Sequence, residues 1–379
     1  FLVPKPEQNY QPLGGEKNNL ADGKYNENPA RWTGNGSREP QPSFYDWYET
    51  IKINYGIKPD GTKDFPLLPN GYNEKDINDH YNFWQGKKVP SSWIKIKEIA
   101  LYWLDKGVDG FRYDMAEMVP AEFWSYLNSA IKSKKRDAFL LAEMYREYIQ
   151  IGKMDYLYDK VELYDTLKNI IQGKGSTDHL PAIREGLADI EHHMLHFLEN
   201  HDEQRIASPQ FAGDAYKGLP MMVVSALQTT SPTMIYFGQE VGEAGEGNPG
   251  FGSQSRTTIF DYWGVPAHQR WMNNGKFDGG MSTPKEKELR QFYKTLLNLS
   301  ISNQAFSGEF ADLHILNRKA NTLYNDKLYS FARFKGDDKI IVIANLSPEK
   351  SYSLKVTKSE GTIAMDLHPL QSLVLSLDK

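Results

Sequence analysis

Apolar residues recur at helical spacing between Trp93 and Gly107, and a short strand pattern follows at once. The apolar positions of the predicted helix are Trp93, Ile96, Ala100, Trp103 and Leu104. Charged residues occupy the other face, so the pattern predicts an amphipathic helix that ends at Gly107. The next residues, 109–115, read DGFRYDM and predict a short strand that ends on the carboxylate of Asp114.

Two later stretches repeat this arrangement of an apolar run that ends on an acidic residue. Residues 139–143 read FLLAE and end on Glu143, and residues 196–202 read HFLENHD and end on Asp202. One acidic residue at a strand end is most often a cap or turn residue, but three of them suit the mouth of a (β/α)8 barrel, where the carboxyl ends of all strands meet. The site expected there consists of Asp114, Glu143, Asp202, Arg112 and His201.

Three segments resemble conserved regions of the α-amylase family, glycoside hydrolase family 13. They read GFRYDMAEM, LLAEMY and FLENHDEQR, and they carry Asp114, Glu143 and Asp202 in the family's order. Glu143 lies 29 residues after Asp114, and Asp202 lies 59 residues after Glu143. Residues 74–78, EKDIN, resemble a further short motif of the family's long loop after strand three. The resemblance implies an α/β fold, a (β/α)8 TIM barrel with a long loop subdomain and a C-terminal all-β sandwich domain.

The resemblance also divides the chain into three parts. Residues 1–90, rich in Gly, Pro and Asn, would form a loop-rich subdomain inserted after barrel strand three. Residues 91–304 would form the catalytic barrel and residues 305–379 the β-sandwich domain. Alternating and β-rich runs at 328–334 and 340–345 support the last assignment.

Within the barrel, strand four would carry Asp114, strand five Glu143, and strand seven both His201 and Asp202. The other predicted elements are helices at 121–132, 161–171, 219–228 and 286–299 and strands at 154–158 and 232–240.

No stretch matches barrel strands one to three. Residues 1–40 also lack a match to the family's first conserved region, which holds an Asp and an active-site His. Five strands cannot close an eight-stranded barrel. We therefore expect this chain to be the C-terminal part of a longer enzyme, with the missing strands supplied by a second polypeptide, cleaved away or not included. A diverged fold without those strands is the alternative.

The resemblance assigns to the three carboxylates the roles found in a retaining glycosidase. Asp114 would be the nucleophile, Glu143 the general acid and base, and Asp202 the residue that holds sugar hydroxyls in the transition state. Arg112 lies on the same strand face as Asp114 and favours its ionised form, while apolar residues 140–142 favour a proton on Glu143. Retention requires that the carboxyls of Asp114 and Glu143 lie about 5–5.5 Å apart.

Four further side chains are expected to bind substrate: Arg112, His201, Trp47 and Asn78. His201 carries donors suited to a sugar hydroxyl. Trp47 lies in the segment DWYE, where its ring can stack on a pyranose face, or it only packs the loop against the barrel. Asn78 ends the EKDIN motif.

Composition and net charge limit the classes of binding partner that we expect. The net charge of −5 gives no reason to expect nucleic acid or an anionic membrane. No apolar run is long enough to cross a bilayer. The chain has no Cys, which excludes disulfides, thiolate nucleophiles and Cys-ligated metals. The expected partner is an α-glucan oligosaccharide or polysaccharide. Because such polymers are usually met outside the cytoplasm, a secreted or periplasmic location is favoured. The sequence itself leaves the compartment unknown.

No cofactor is expected to be required, and the resemblance is consistent with a structural calcium ion beside the long loop, whose ligands the sequence does not name. His192 and His196 are spaced i, i+4 and could bind zinc on a helix. The stretch after them leads into a predicted strand, however, and residues i and i+4 of a strand are too far apart to share one ion easily. This argues against zinc. The Gly-rich segment 243–252 lacks both a basic residue and a suitably spaced helix, so it predicts a rim loop rather than a nucleotide site.

These patterns predict a retaining glycoside hydrolase that cleaves α-1,4-glucosidic bonds of starch, maltodextrin or related α-glucans by double displacement. The nearest alternative is an α-glucan transglycosylase with the same site, since only the access of acceptor and water separates the two. A non-catalytic carbohydrate-binding or scaffold protein of the same fold is the alternative from another class.

Overall fold

The computed structural model describes residues 53–58, 61–143, 152–245, 265–358 and 361–376. The chain divides into two compact units, Phe1–Asp155 and Tyr156–Lys379. Across the described ranges, no helix combines the length and the apolar composition needed to cross a membrane.

The first unit places a pair of parallel strands against helices. Its elements are α1 (Ile77–Trp84), α2 (Ser91–Asp105), β1 (Gly110–Tyr113), α3 (Ala121–Lys134) and β2 (Phe139–Ala142). In the parallel pair, Gly110 lies opposite Phe139 and Tyr113 opposite Ala142. Since α3 connects the two strands, they form a β-α-β unit, and their carboxyl ends lie side by side.

Aromatic side chains form the core of the first unit. Trp93 of α2 is fully buried, with its ring centroid 5.5 Å from that of Phe123 and 5.6 Å from that of Trp84. Trp84 Nε1 donates to Ser125 Oγ at 2.7 Å, and the same hydroxyl lies 2.7 Å from Nδ1 of His80. The buried polar atoms are therefore satisfied where α1 packs on α3.

The second unit begins with three more parallel strands. Its elements in this part are β3 (Tyr156–Tyr158), α4 (Asp165–Ile171), α5 (Leu180–Gly186), β4 (Met194–Phe197), α6 (Leu219–Leu227), β5 (Thr233–Met234), α7 (Pro266–Met272) and α8 (Pro284–Ser302). β4 pairs in parallel with both β3 and β5. Every residue of α6 from Pro220 onward is buried, as expected for its almost wholly apolar sequence. Among the described residues, the first unit thus holds one parallel pair and the second unit a set of three parallel strands, as in parts of a (β/α)8 barrel.

An antiparallel β structure follows α8. Its elements are β6 (Glu309–Asp312), α9 (His314–Ala320), β7 (Leu328–Lys335), β8 (Asp338–Asn345), β9 (Tyr352–Lys358), β10 (Gly361–Leu367) and β11 (Ser372–Ser376). One sheet has the order β11-β8-β7-β6, and β9 pairs with β10 in a second sheet. A two-residue turn joins β7 to β8, and Gly336 takes the left-handed φ of 59° that this turn needs.

The antiparallel sheet and the helices α6 and α8 share one hydrophobic cluster. Members of this cluster include Val224, Leu296, Phe331 and Val342. Arg333 of β7 is buried beside them, and its guanidinium donates to Gln228 O at 2.6 Å and to Phe306 O at 2.7 Å. Backbone carbonyls therefore accept from both terminal nitrogens of this buried cation, and the sheet packs directly on the barrel helices of its unit.

The fold class is confirmed, and most predicted elements appear within two or three residues of their expected bounds. The helices predicted at 121–132, 219–228 and 286–299 are α3, α6 and α8, and the β-rich runs at 328–334 and 340–345 are β7 and β8. The expectation that strands one to three are missing concerns a region that includes residues outside the described ranges, and it stays a prediction.

One strand in this part of the chain is much shorter than predicted. The strand expected at 232–240 is only β5, because Gln239 Oε1 accepts the Tyr236 N–H at 3.2 Å and Gly238 takes a left-handed φ of 83°. Both features turn the chain away from a strand partner. The helix expected at 161–171 is present over 160–171, with a π-helical first part, Lys160–Tyr164, that continues into α4.

Two helices lie in parts of the chain that were expected to be loop-rich or all-β. α1 lies within residues 1–90, and it begins where Asp76 caps the backbone N–H groups of Asn78 and Asp79. α9 lies within residues 305–379. The domain boundaries near residues 90 and 304 stay predictions, since the division into compact units falls at Asp155.

Candidate active site

β1 delivers Asp114 at its carboxyl end, next to an arginine of the same strand. Arg112 and Asp114 are two residues apart, so their side chains lie on one face, and Nη1 of Arg112 pairs with Oδ1 of Asp114. Met115 then takes a left-handed φ of 43°, which is uncommon for a residue with a side chain. This turn ends the strand, and the side chain of Asp114 is 62% exposed.

Glu143 follows β2 at the same level of the sheet as Asp114. Its backbone N–H donates to Tyr113 O at 3.0 Å, and its carbonyl accepts the Ala116 N–H at 3.0 Å. These two bonds continue the ladder beyond the last paired residues, Tyr113 and Ala142. The register of the strand pair therefore brings Asp114 and Glu143 together.

Arg112 connects the two carboxylates. Its Nη2 donates to Glu143 Oε2 at 3.0 Å while its Nη1 contacts Asp114, and the Met115 N–H donates to the same Glu143 oxygen at 3.3 Å. Burial raises the pKa of Glu143, and the neighbouring negative charge of Asp114 raises it further. Hydrogen bonding from Met115 and the charge of Arg112 act in the opposite direction without cancelling the rise.

Glu143 follows directly on a buried apolar stretch. Leu140, Leu141 and Ala142 are all buried in β2. Asp114, in contrast, lies on the exposed side. A carboxyl group with a raised pKa beside a more exposed carboxyl group is the arrangement that acid–base and nucleophilic chemistry requires of a pair.

Asp202 and His201 belong to the second unit, where they lie in the loop after β4. β4 ends at Phe197, so the expectation that both residues lie on the strand is wrong. Asn200 causes the bend, because its Oδ1 accepts the backbone N–H groups of Asp202 and Glu203, each at 2.8 Å. His201 Nε2 lies 3.0 Å from Asp202 Oδ2.

A buried ion pair beneath this loop was missed by the sequence reasoning. Glu199 and Arg205 are almost completely buried, and Arg205 Nη1 donates to Glu199 Oε2 at 3.0 Å. Burial raises the pKa of Glu199 to about 7, although the charge of Arg205 lowers it. The available signal was an acidic residue directly after the apolar run HFL, with an arginine six residues later.

The two remaining residues that were predicted to bind substrate are Asn78 and Trp47. Asn78 lies in the first turn of α1, and its Oδ1 accepts a hydrogen bond from Arg136 at 3.2 Å. Within the described residues no hydrogen bond joins it to Asp114 or Glu143, so its role stays a prediction. Trp47 lies outside the described residues.

The structure gives no support to the zinc arrangement. His192 lies in a 3-10 turn and His196 in β4, so they are not on one helical face. His196 Nδ1 lies 2.7 Å from Ser225 O, and its Nε2 lies 3.6 Å from Asp159. In the part of the chain that the structure describes, no group of three or more His, Asp or Glu side chains could hold a metal ion. The calcium expectation stays untested.

Fold and site together define a partial (β/α)8 barrel with acidic residues after the carboxyl ends of its strands. Residues 82–270, about half of the chain, match the family model described as "Alpha amylase, catalytic domain". The chain therefore belongs to the α-amylase family.

Curated relatives in this family include hydrolases and transferases. Alpha-amylase 3 of Dictyoglomus thermophilum is 25% identical over 281 residues, which cover 67% of this chain and 53% of the relative. The alpha-1,4-glucan:maltose-1-phosphate maltosyltransferase of Cereibacter sphaeroides is 30% identical over 118 residues, which cover 30% of this chain and 18% of the relative. The matches thus span about half or less of these two relatives.

A solved structure shows the same fold. The ligand-free cyclic alpha-maltosyl-(1→6)-maltose hydrolase from Arthrobacter globiformis superposes with a TM-score of 0.57 at 20% identity. The match covers 77% of this chain and 61% of that structure.

Proposed function

We propose that this chain carries the catalytic site of a retaining glycoside hydrolase that cleaves α-1,4-glucosidic bonds of starch, maltodextrin or related α-glucans. The observation that carries the proposal is the single guanidinium of Arg112, which contacts both Asp114 and Glu143. Membership of the α-amylase family supports the substrate class.

In the first step, Asp114 attacks the anomeric carbon and the bond to the leaving oxygen breaks. Glu143 gives its proton to that oxygen, so the leaving sugar departs as a neutral alcohol. The half-buried position of Glu143 suits this role because burial raises its pKa. The pairing of Arg112 with Asp114 keeps the nucleophile next to a positive charge.

In the second step, Glu143, now ionised, takes a proton from water as the water attacks the glycosyl-enzyme ester. The bond to Asp114 breaks, and the sugar leaves with its original anomeric configuration. Asp202 and His201 would hold sugar hydroxyls and favour the distorted, oxocarbenium-like transition state. Their mutual contact at 3.0 Å presents an acceptor and a donor together.

Transglycosylation is the second candidate, with the same residues in the same roles. Here a sugar hydroxyl replaces water in the second step. The similarity to a maltosyltransferase supports this candidate, and the similarity to an amylase supports the first.

The direct experiment is incubation of the purified protein with maltoheptaose and soluble starch, with Asp114→Asn in parallel. We expect wild-type protein to release oligosaccharides and the variant to lose activity by at least about 10³-fold. Asp109→Asn is the matched control, since Asp109 comes just before β1, is 95% exposed in its side chain and pairs with Lys135. It should retain wild-type activity.

Four outcomes separate the candidates. Products longer than the maltoheptaose supplied indicate glycosyl transfer, and shorter products alone indicate hydrolysis. Equal release by wild type and Asp114→Asn would overturn the assigned nucleophile. If the folded protein binds maltoheptaose without converting it, the chain is a non-catalytic binding protein and not an enzyme.

A further inference from the structure

Glu199 closes the loop that carries Asp202. Its Oε2 accepts from Arg205 Nη1 at 3.0 Å, and its Oε1 accepts the Ile206 backbone N–H at 2.7 Å. One carboxylate therefore joins the start of the loop to both residues at its end. The side chains of Glu199 and Arg205 are 2% and 0% exposed, so this closure is shielded from water.

Arg205 also links the loop to the chain segment after β5. Its Nη1 also donates to Phe237 O at 2.6 Å. The guanidinium carbon lies 4.4 Å from the ring centroid of Tyr236 and 4.9 Å from that of Phe237. Hydrogen bonds and cation–π contacts thus fix the cation that Glu199 binds.

The closed loop contains the groups that set the orientation of Asp202. Asn200 Oδ1 accepts two successive backbone N–H groups, those of Asp202 and Glu203. Glu199 directly precedes this asparagine in the chain. A change in the position of Glu199 therefore moves the acceptor on which the Asp202 backbone depends.

The residue after Asp202 is anchored as well. Glu203 Oε2 accepts from Tyr164 OH at 3.1 Å, and its carboxylate lies 3.4 Å from Lys160 Nζ and 3.8 Å from Lys168 Nζ. Lys168 also donates to Gln204 Oε1 at 2.5 Å. Between these fixed residues, the side chains of His201 and Asp202 are 33% and 37% exposed.

We propose that Glu199 is a positioning residue for Asp202, acting through Arg205 and Ile206 to hold the loop in the conformation that glycosyl transfer requires. This inference rests on the proposed function, in which Asp202 acts in the transition state. Glu199 itself is buried and would not touch the sugar.

A double-mutant cycle tests the proposal. We expect Glu199→Gln to lower kcat by about 10²-fold with little change in KM, since a displaced catalytic group costs about that factor. We expect Asp202→Asn to lower kcat by about 10²- to 10³-fold. If Glu199 acts through Asp202, the double variant will be no slower than Asp202→Asn alone. If the loss of kcat in the double variant instead equals the product of the two single losses, the proposal is wrong.

A second variant addresses misfolding. Glu199→Gln removes the negative charge that pairs with the buried Arg205, whereas Glu199→Gln with Arg205→Met removes both charges and is better tolerated. This pair variant should fold and still show reduced kcat. Asp178→Asn, in a separate charged cluster of the same unit, is the matched control and should lower stability without reducing kcat.

Hydrogen exchange gives a readout that does not need activity. The backbone N–H groups of Asp202 and Glu203 should exchange faster in the pair variant than in wild type, and unchanged exchange of a peptide covering 199–206 would overturn the proposal. If Asp202→Asn retains full activity, the catalytic role of Asp202 fails instead, and the exchange result still decides whether Glu199 orders the loop.

Discussion

The guanidinium of Arg112 donates to the carboxylate of Glu143 at 3.0 Å, although the two residues lie on different strands. The contact exists because β1 and β2 pair in parallel with Tyr113 opposite Ala142, which brings the side chains at both strand ends to one level. Arg112 also pairs with Asp114. A single cation therefore influences both carboxylates assigned to the reaction.

The first prediction concerns removal of this cation by Arg112→Gln. The charge of Arg112 lowers the pKa of Glu143, so its loss should raise that pKa further. Because Glu143 must be protonated to act as an acid, the alkaline limb of the pH–rate profile should move to higher pH. The value of kcat should fall about 10²-fold. Arg136→Gln, which removes a cation that binds Asn78, is the control and should leave the profile unchanged.

The second prediction concerns Glu143→Gln. We expect kcat on starch to fall about 10²- to 10⁴-fold, while an aryl glucoside with a good leaving group loses less in the glycosylation step because it needs little protonation. A burst of aryl alcohol measured by stopped flow checks this. Equal losses on both substrates would contradict the role of Glu143 as the acid.

The same variant should change the pH dependence of stability. Burial raises the folded-state pKa of Glu143 above its usual 4.5, so wild-type stability decreases as pH rises from 4.5 through that raised value. Glu143→Gln removes this decrease. The side chain of Glu143 is 40% exposed, so solvent screening keeps the variant's gain in unfolding free energy at pH 8 below about 1 kcal/mol. Thermal unfolding at pH 4 and pH 8 measures the difference, which should vanish at the lower pH.

The third prediction concerns the charged cluster at Asp178. Arg318 binds its carboxylate through two nitrogens and His314 Nε2 lies 2.8 Å away, which lowers the pKa of Asp178 to about 2 from 3.8. The stabilisation is complete above pH 3.8 and is lost as pH falls towards 2. Because the side chain is 42% exposed, we expect Asp178→Asn to cost about 1 kcal/mol at pH 7.

Urea unfolding at pH 7 and at pH 2.5 tests the Asp178 prediction, and the difference in unfolding free energy between wild type and Asp178→Asn should be clearly smaller at the lower pH. Asp326→Asn is the control, since Asp326 is more exposed and its nitrogen partner on Lys327 lies 3.8 Å away. A cost for Asp178→Asn that persisted unchanged at pH 2.5 would assign the effect to packing rather than charge.

The fourth prediction concerns the close approach of the two strands that carry the site. A Cβ added at Gly110 would lie 1.9 Å from the backbone oxygen of Phe139. Backbone cannot yield as a flexible side chain does, so Gly110→Ala should cost about 3 kcal/mol or more. Gly186→Ala, where a Cβ meets no atom within 4 Å, should stay within about 0.5 kcal/mol of wild type. Thermal unfolding of both variants measures the contrast.

Local patterns were sufficient for the strand ends that carry Asp114 and Glu143. An apolar run followed by a carboxylate predicts a buried strand and its terminus, and both β1 and β2 end directly before the expected residue. The same reasoning placed Asp202 on a strand, whereas β4 ends at Phe197. There, the side chain of Asn200 satisfies backbone N–H groups that would otherwise pair in a strand.

The sequence by itself determined the alternation of elements, the family and the acidic residues that we propose for the site, because each depends on spacing along the chain. Only the tertiary structure decided that Arg112 contacts Glu143, that Glu199 and Arg205 close the loop of Asp202, and that carbonyl oxygens surround Arg333. These contacts depend on strand register and on which charged groups are enclosed without water. Hydrophobic periodicity specifies the buried face of each element, but it does not specify the partner that each buried charge finds.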